Sequence, residues 1–108
     1  MMFVVNAGTD RQRHFPVPEG ESMLGRSGTC ALVLPDPYVS RRQLRLVRRG
    51  ENVRVSNLGR PGAVKRNGRV TEETDLEIDD ELSIGKSRLR LVPDGPQADA
   101  DDRMAAGQ

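Results

Sequence analysis

LGRSGTCALVLPDPYVSRRQLRL, residues Leu24 to Leu46, decides how the rest of the chain is read. The apolar run Leu32–Leu34 is too short for a helix and is stopped by Pro35, Asp36 and Pro37. From Gln43 to Arg48 the pattern alternates, with Leu44 and Leu46 on one face and Arg45 and Val47 on the other, which is the period of a half-buried strand. Outward from there the same grammar repeats. Arg49-Gly50-Glu51-Asn52 reads as a hairpin turn with Val53 and Val55 alternating on the return. Asn57 to Pro61 is a loop. Val64–Arg66 and Arg69–Val70 flank Asn67-Gly68, the favoured pair of a tight hairpin. Thr74–Leu76, Glu81–Ile84 and Ser87–Val92 follow. Upstream lie Met2–Asn6, Arg13–Val17 and Ser22–Gly25. Turn signals at this spacing belong to an all-β sandwich or barrel, and no window carries helical periodicity. The expected core is Val4, Leu24, Leu34, Leu44, Leu46, Val53, Val55, Leu76, Leu82, Ile84, Leu89 and Leu91.

The chain has 108 residues, enough for one domain, with 35% apolar and 31% charged residues. One Tyr, two Phe and no Trp make the core aliphatic. The net charge is +1, but residues 93–108 hold four Asp against one Arg, so the preceding part is clearly basic. Fifteen of the seventeen cations are arginine, which suits forked contacts to phosphate or carboxylate and is also what a GC-rich genome gives. A single cysteine, Cys30, allows no internal disulfide and fits a reducing, cytoplasmic setting. No apolar stretch is long enough to span a membrane, so no direct membrane insertion is expected. Residues 93–108, rich in Pro, Gly, Asp and Ala, are expected to form a disordered acidic tail or linker after a domain over 1–92.

Four segments occur in a fixed order: LGRSGTCALVLPDPYVSRRQLRL, then VRVSNLGRPGAVKRNGRV (Val53–Val70), LEIDDELSIG (Leu76–Gly85) and LRLV (Leu89–Val92). Together they resemble the forkhead-associated (FHA) family. Its pattern is Gly-Arg, Ser-Arg-x-His, Leu-Gly-Ser-x-Asn-Gly-Thr, then Asn-Gly and an acidic turn before a last hairpin. The resemblance implies an FHA-type β-sandwich of about eleven strands with essentially no helix. It implies a phosphothreonine-peptide-binding module, not an enzyme, and no cofactor. The partner it implies is a threonine-phosphorylated protein or peptide, such as a Ser/Thr kinase substrate.

Carried over by position, Arg26 and Ser40 are the residues expected on the phosphate, and Arg41 adds its side chain or amide. A phosphothreonine offers nearly two negative charges and three acceptor oxygens, which guanidinium, hydroxyl and amide groups satisfy. Gln43 stands where the family has a histidine that ties the recognition loops, and its amide can do part of that work. Arg60, Pro61, Gly62, Ala63 and Val64 replace Ser-Thr-Asn-Gly-Thr. Pro61 lacks the hydroxyl, and Gly62, though it occupies a position expected against the phosphopeptide, lacks the side-chain amide that grips the peptide backbone. Arg60 is a candidate for new charge from that loop. Asn67 is expected to support its hairpin. Residues 60–63 and 71–75 are expected to set selectivity beyond the phosphothreonine. The turn Asp79-Asp80-Glu81 is expected to be merely solvated.

These departures keep a second reading open: an FHA-fold scaffold that binds a protein partner without phosphorylation. His14 is the only histidine, so metal clusters and histidine-based nucleophile systems lack parts. The arginines could suggest a nucleic-acid binder, but stacking aromatics are nearly absent and alternation splits the strand arginines between faces, so no nucleic acid is expected.

Overall fold

The alternating runs form eleven strands in a computed structural model that describes residues 1–93. They are β1 (Met2–Val5), β2 (Arg13–Pro16), β3 (Gly20–Gly25), β4 (Leu32–Val33), β5 (Leu44–Arg49), β6 (Asn52–Asn57), β7 (Val64–Arg66), β8 (Arg69–Val70), β9 (Glu73–Leu76), β10 (Glu81–Ile84) and β11 (Ser87–Val92). No helix occurs among the described residues. A six-stranded sheet has the order β2-β1-β11-β10-β7-β8, and a five-stranded sheet has the order β4-β3-β5-β6-β9. The two sheets bury their aliphatic faces against each other, as an all-β sandwich must. Of the stretch expected as a tail, all but Pro93 lies outside the described residues.

Turn chemistry sets the hairpins. Asn67 and Gly68 have φ of 48° and 87°, both positive as a type I′ turn requires, and they join Arg66 to Arg69 in direct register. Every strand pair is antiparallel except one. β3 and β4 meet in a two-residue parallel bridge, Leu24 with Leu32 and Gly25 with Val33. The chain therefore loops out through 26–31 and returns beside Gly25, and Leu34 N donates to Gly25 O at 2.8 Å.

The core contains Leu24, Leu34, Leu44, Leu46, Val53, Val55, Leu76, Leu82, Ile84, Leu89 and Leu91 as expected, together with Leu32, Val39 and Val64. Val4 is a correction. Phe3 and Val5 are fully buried, while Val4 faces outward opposite His14 and Arg90. In an all-apolar run of four the phase is ambiguous. Burying Phe3, the largest side chain available, removes the most surface from water.

The acidic turn is a second correction. Asp80 is half-buried. Its Oδ2 accepts from Glu77 N at 2.8 Å and Arg66 Nε at 3.0 Å, and its Oδ1 accepts from Asn67 Nδ2 at 3.0 Å. It clamps the β7–β8 hairpin to the turn before β10.

Asp36 is the equivalent clamp at the other end. Its Oδ1 accepts from Tyr38 N at 2.8 Å; its Oδ2 accepts from Lys86 N at 2.7 Å and Ser87 Oγ at 2.9 Å. Burial opposes its charge, but these three donors more than offset that and hold its carboxyl below the usual carboxylate range. A depressed folded pKa contributes stability above the unfolded value, near 3.8, and that contribution is lost as pH falls through the folded pKa. Asp36→Asn should therefore lower stability at pH 7 by about 2 kcal/mol and flatten the acid limb of a urea-midpoint-against-pH curve. An unchanged midpoint at pH 7 would show that the clamp carries no stability.

Candidate functional site

The loops 26–31, 34–43 and 58–63 converge at one end of the sandwich. Backbone approach sets the first contact. Gly25 packs so closely on Arg41 that a Cβ there would overlap the Arg41 carbonyl oxygen. Arg26 N donates to Ser40 O at 3.0 Å and Ser27 N to Arg41 O at 3.1 Å, which zips the first loop to the second. The Arg26 side chain is exposed, yet its Nε donates to Val39 O at 3.1 Å, which holds the guanidinium beside Ser40. Among the described residues the Ser40 hydroxyl takes part in no hydrogen bond.

Gln43 is completely buried. A backbone N–H can only donate, so the amide oxygen must face Ser40 N, at 2.8 Å. Nε2 then donates to Asn57 Oδ1 at 2.8 Å. With Gln43 N on Leu24 O at 2.9 Å and Leu58 N on Gln43 O at 2.8 Å, this residue ties the second loop to the third and to β3, from which the first loop leaves. Gln43→Leu keeps the volume but strands Ser40 N and removes one of the two donors to Asn57 Oδ1. We expect a loss of about 2 kcal/mol by denaturant unfolding, together with weaker ligand binding. Retained stability would show the network to be dispensable.

In the sequence Asn57 carries no site role and Glu72 falls only within the 71–75 turn. Asn57 Oδ1 also accepts from Gly59 N at 2.9 Å, an Asx-turn that an Asn two residues before a Gly could have signalled. Its Nδ2 donates to Arg60 O at 2.9 Å and Glu72 Oε1 at 2.9 Å. Glu72 Oε2 accepts from Gly62 N at 2.9 Å. The Asn57 amide and the Gly62 amide hold the Glu72 carboxyl below its ordinary range. Gly62 has φ of 84°, so its glycine serves the turn, and its N–H is already used. A Cβ at Gly59 would come within 2.8 Å of Ser40 Oγ, so the third loop passes directly beside Ser40 and places Arg60 next to it in sequence.

The structure thus gathers Arg26, Ser40, Arg41, Gln43, Arg60 and Gly62 at one end. Asn67 lies elsewhere. Its Oδ1 accepts from Glu81 N at 2.9 Å, at the end of β10 remote from Gly85. Arg26, Arg41, Arg42 and Arg60 are all exposed and enter no ion pair with described residues. The one acid within these loops, Asp36, is buried and engaged, and Glu72, the carboxylate bonded to the third loop at Gly62 N, is outnumbered by the four arginines. The loop end is therefore a positively charged surface around a free hydroxyl. No group of His, Cys, Asp and Glu able to hold a metal occurs among the described residues.

Comparison with known proteins agrees with this architecture. FhaB of Mycobacterium tuberculosis, an FHA domain-containing protein, is 32% identical over 91 residues, covering 83% of this chain and 59% of FhaB. The chain thus spans rather more than half the length of that relative. The FHA domain of FhaA, solved in complex with the intracellular domain of Rv3910, superposes with a TM-score of 0.75 at 25% identity, covering 82% of this chain and 96% of that one. The N-terminal FHA domain of Rad53p from S. cerevisiae, solved with a phosphothreonine peptide, shares the fold with a TM-score of 0.66 at 16% identity, covering 84% and 91%. With residues 4–95 matching its description, "Inner membrane component of T3SS, cytoplasmic domain", the chain belongs to that family, of the FHA type.

Proposed function

We propose that this domain is a non-catalytic module that binds a threonine-phosphorylated protein, with Arg26, Ser40 and Arg41 on the phosphate and Gln43 holding their loops. The observation that carries this reading is the Ser40 hydroxyl, free of partners among the described residues and flanked by exposed arginines. One of them, Arg26, is held by its side-chain Nε donating to Val39 O. A phosphate dianion supplies the acceptors that such donors need. The Rad53p domain binding a phosphothreonine peptide on the same fold supports it. A Ser/Thr kinase substrate in the cytoplasm is the partner this chemistry suits.

The test is calorimetric titration with a degenerate phosphothreonine peptide pool against its unphosphorylated counterpart. Micromolar binding that needs the phosphate supports the reading; equal binding of both pools overturns it. Arg60→Ala probes the third loop. It should weaken phosphopeptide binding by about threefold to tenfold, and no change removes Arg60 from the site.

One observation favours a phosphorylation-independent scaffold instead. Pro61 brings neither hydroxyl nor N–H to the ligand, and the Gly62 N–H is held by Glu72. A folded domain that ignores phosphate but retains a protein partner would establish that reading.

A further inference from the structure

The two sheets present opposite kinds of outer face. On the outer face of the five-stranded sheet two of the three strand arginines, Arg45 and Arg54, are neutralised, while Arg49 at the end of β5 is exposed and enters no ion pair among the described residues. Arg45 pairs with Glu21 at 2.7 Å, and Arg54 pairs with Glu73 at 3.1 Å and Asp75 at 2.9 Å. On the outer face of the six-stranded sheet none is neutralised; Arg66, which pairs with Asp80, lies in register with the buried Leu82 instead. Directly opposed residues point to the same side, so register alone places two rows outward. One row runs His14, Val4, Arg90, Glu81; the other runs Arg88, Ser83, Lys65, Val70. Lys65, Arg88 and Arg90 are exposed and enter no ion pair among the described residues, and Val70 is 57% exposed beside Lys65. Lys86 adds a cation at the end of the second row, its Nζ 4.9 Å from the Tyr38 ring centroid. The half-buried Glu81 is the single acid in the two rows.

We infer that the outer face of the six-stranded sheet is a docking surface for an anionic lipid bilayer. The argument is charge complementarity together with shape. Neighbouring strands lie about 5 Å apart and alternate residues along a strand about 7 Å apart, so Arg88, Arg90 and Lys65 form a two-dimensional array rather than a line. An extended acidic peptide follows one line and would meet only part of that array. A plane of anionic headgroups meets all of it, with Val4 and Val70 between the cations to rest against the interface. The Ser40 loops lie at the end of the sandwich, at the rim of this face, and stay accessible while it is covered. The attraction is peripheral and moderate. Each basic residue near an anionic surface strengthens binding by about fivefold, and salt screens it.

The full chain should float with vesicles of phosphatidylcholine plus phosphatidylglycerol at low salt, and not with phosphatidylcholine alone. Lys65→Gln, Arg88→Gln and Arg90→Gln should each lower binding about fivefold. Arg45→Gln and Arg54→Gln, which remove cations already paired, should lower it far less. Folding of every variant is checked by thermal unfolding. Any of three results overturns the inference: no flotation by the folded wild type, equal losses from both sheets, or loss only when Arg41, Arg42 and Arg60 are neutralised. Capture of soluble polyglutamate through Lys65, Arg88 and Arg90, without vesicle binding, would also overturn it and assign the face to an acidic chain.

Discussion

Arg26→Ala should abolish most of the affinity for a phosphothreonine peptide while leaving the domain folded. A charge-assisted contact to a phosphate oxygen contributes about 1.5–3 kcal/mol, or roughly 10- to 150-fold in Kd. The side chain is exposed, and its one internal bond is Nε to Val39 O, so the stability cost should stay within about 1 kcal/mol. Ser40→Ala should give a loss of similar direction, because its hydroxyl has no internal role for the substitution to disturb. Calorimetry on the two variants, with thermal unfolding alongside, separates binding from folding. Wild-type affinity in Arg26→Ala would remove the phosphate site from the loop end.

Gly25→Ala should be the most damaging single methyl in the molecule. Its Cβ would overlap the carbonyl oxygen and carbon of Arg41, both backbone atoms that no rotamer change can move aside. Relief requires the second loop to back away. That breaks Arg26 N to Ser40 O and Ser27 N to Arg41 O, and disturbs the parallel bridge of Gly25 with Val33. We expect a loss of about 3 kcal/mol or more. Gly28→Ala in the same loop meets nothing within 4 Å, and the methyl should be neutral or stabilising by up to about 1 kcal/mol. Denaturant unfolding of the pair tests close backbone approach directly. Equal effects would show that any methyl in this loop is harmful, whatever it meets.

The two substitutions act on different layers of the site. Arg26 and Ser40 are the groups a ligand would touch; Gly25 and Gln43 hold the loops that carry them. Phosphate binding at this end depends on that second layer. The donors sit on loops, and a loop left free would have to be ordered at the moment of binding.

How far the chain could be read before its structure depended on how local each signal was. Strand positions were legible, because alternation and turn residues act over a few residues. Val64–Arg66, Arg69–Val70, Glu81–Ile84 and Ser87–Val92 coincide with their strands, and Asn67-Gly68 is the two-residue turn its chemistry demands. Arg26, Ser40 and Gln43 could be picked out as one group only through resemblance to a family pattern, since nothing local links residues so far apart. Val4 was misplaced because four consecutive apolar residues carry no phase until two sheets close on them. Asp80 read as a solvated acid because its partners, Arg66 and Asn67, come from another hairpin. Asn57 had a local signature, its Asx-turn with Gly59, but its tie to Gln43 and Glu72 did not.

By itself the sequence determined an all-β chain of about eleven strands, its hairpin turns and most of its aliphatic core, since period-two burial and positive-φ turns are properties of neighbouring residues. Tertiary structure alone decided the partition into six and five strands, the parallel bridge of β3 with β4, and the contact of Gly25 with Arg41. It also decided that Arg45 and Arg54 on one outer face are neutralised while Lys65, Arg88 and Arg90 on the other enter no ion pair among the described residues. Each of these depends on which distant segments pair, and pairing is settled only when both sheets bury their apolar faces together.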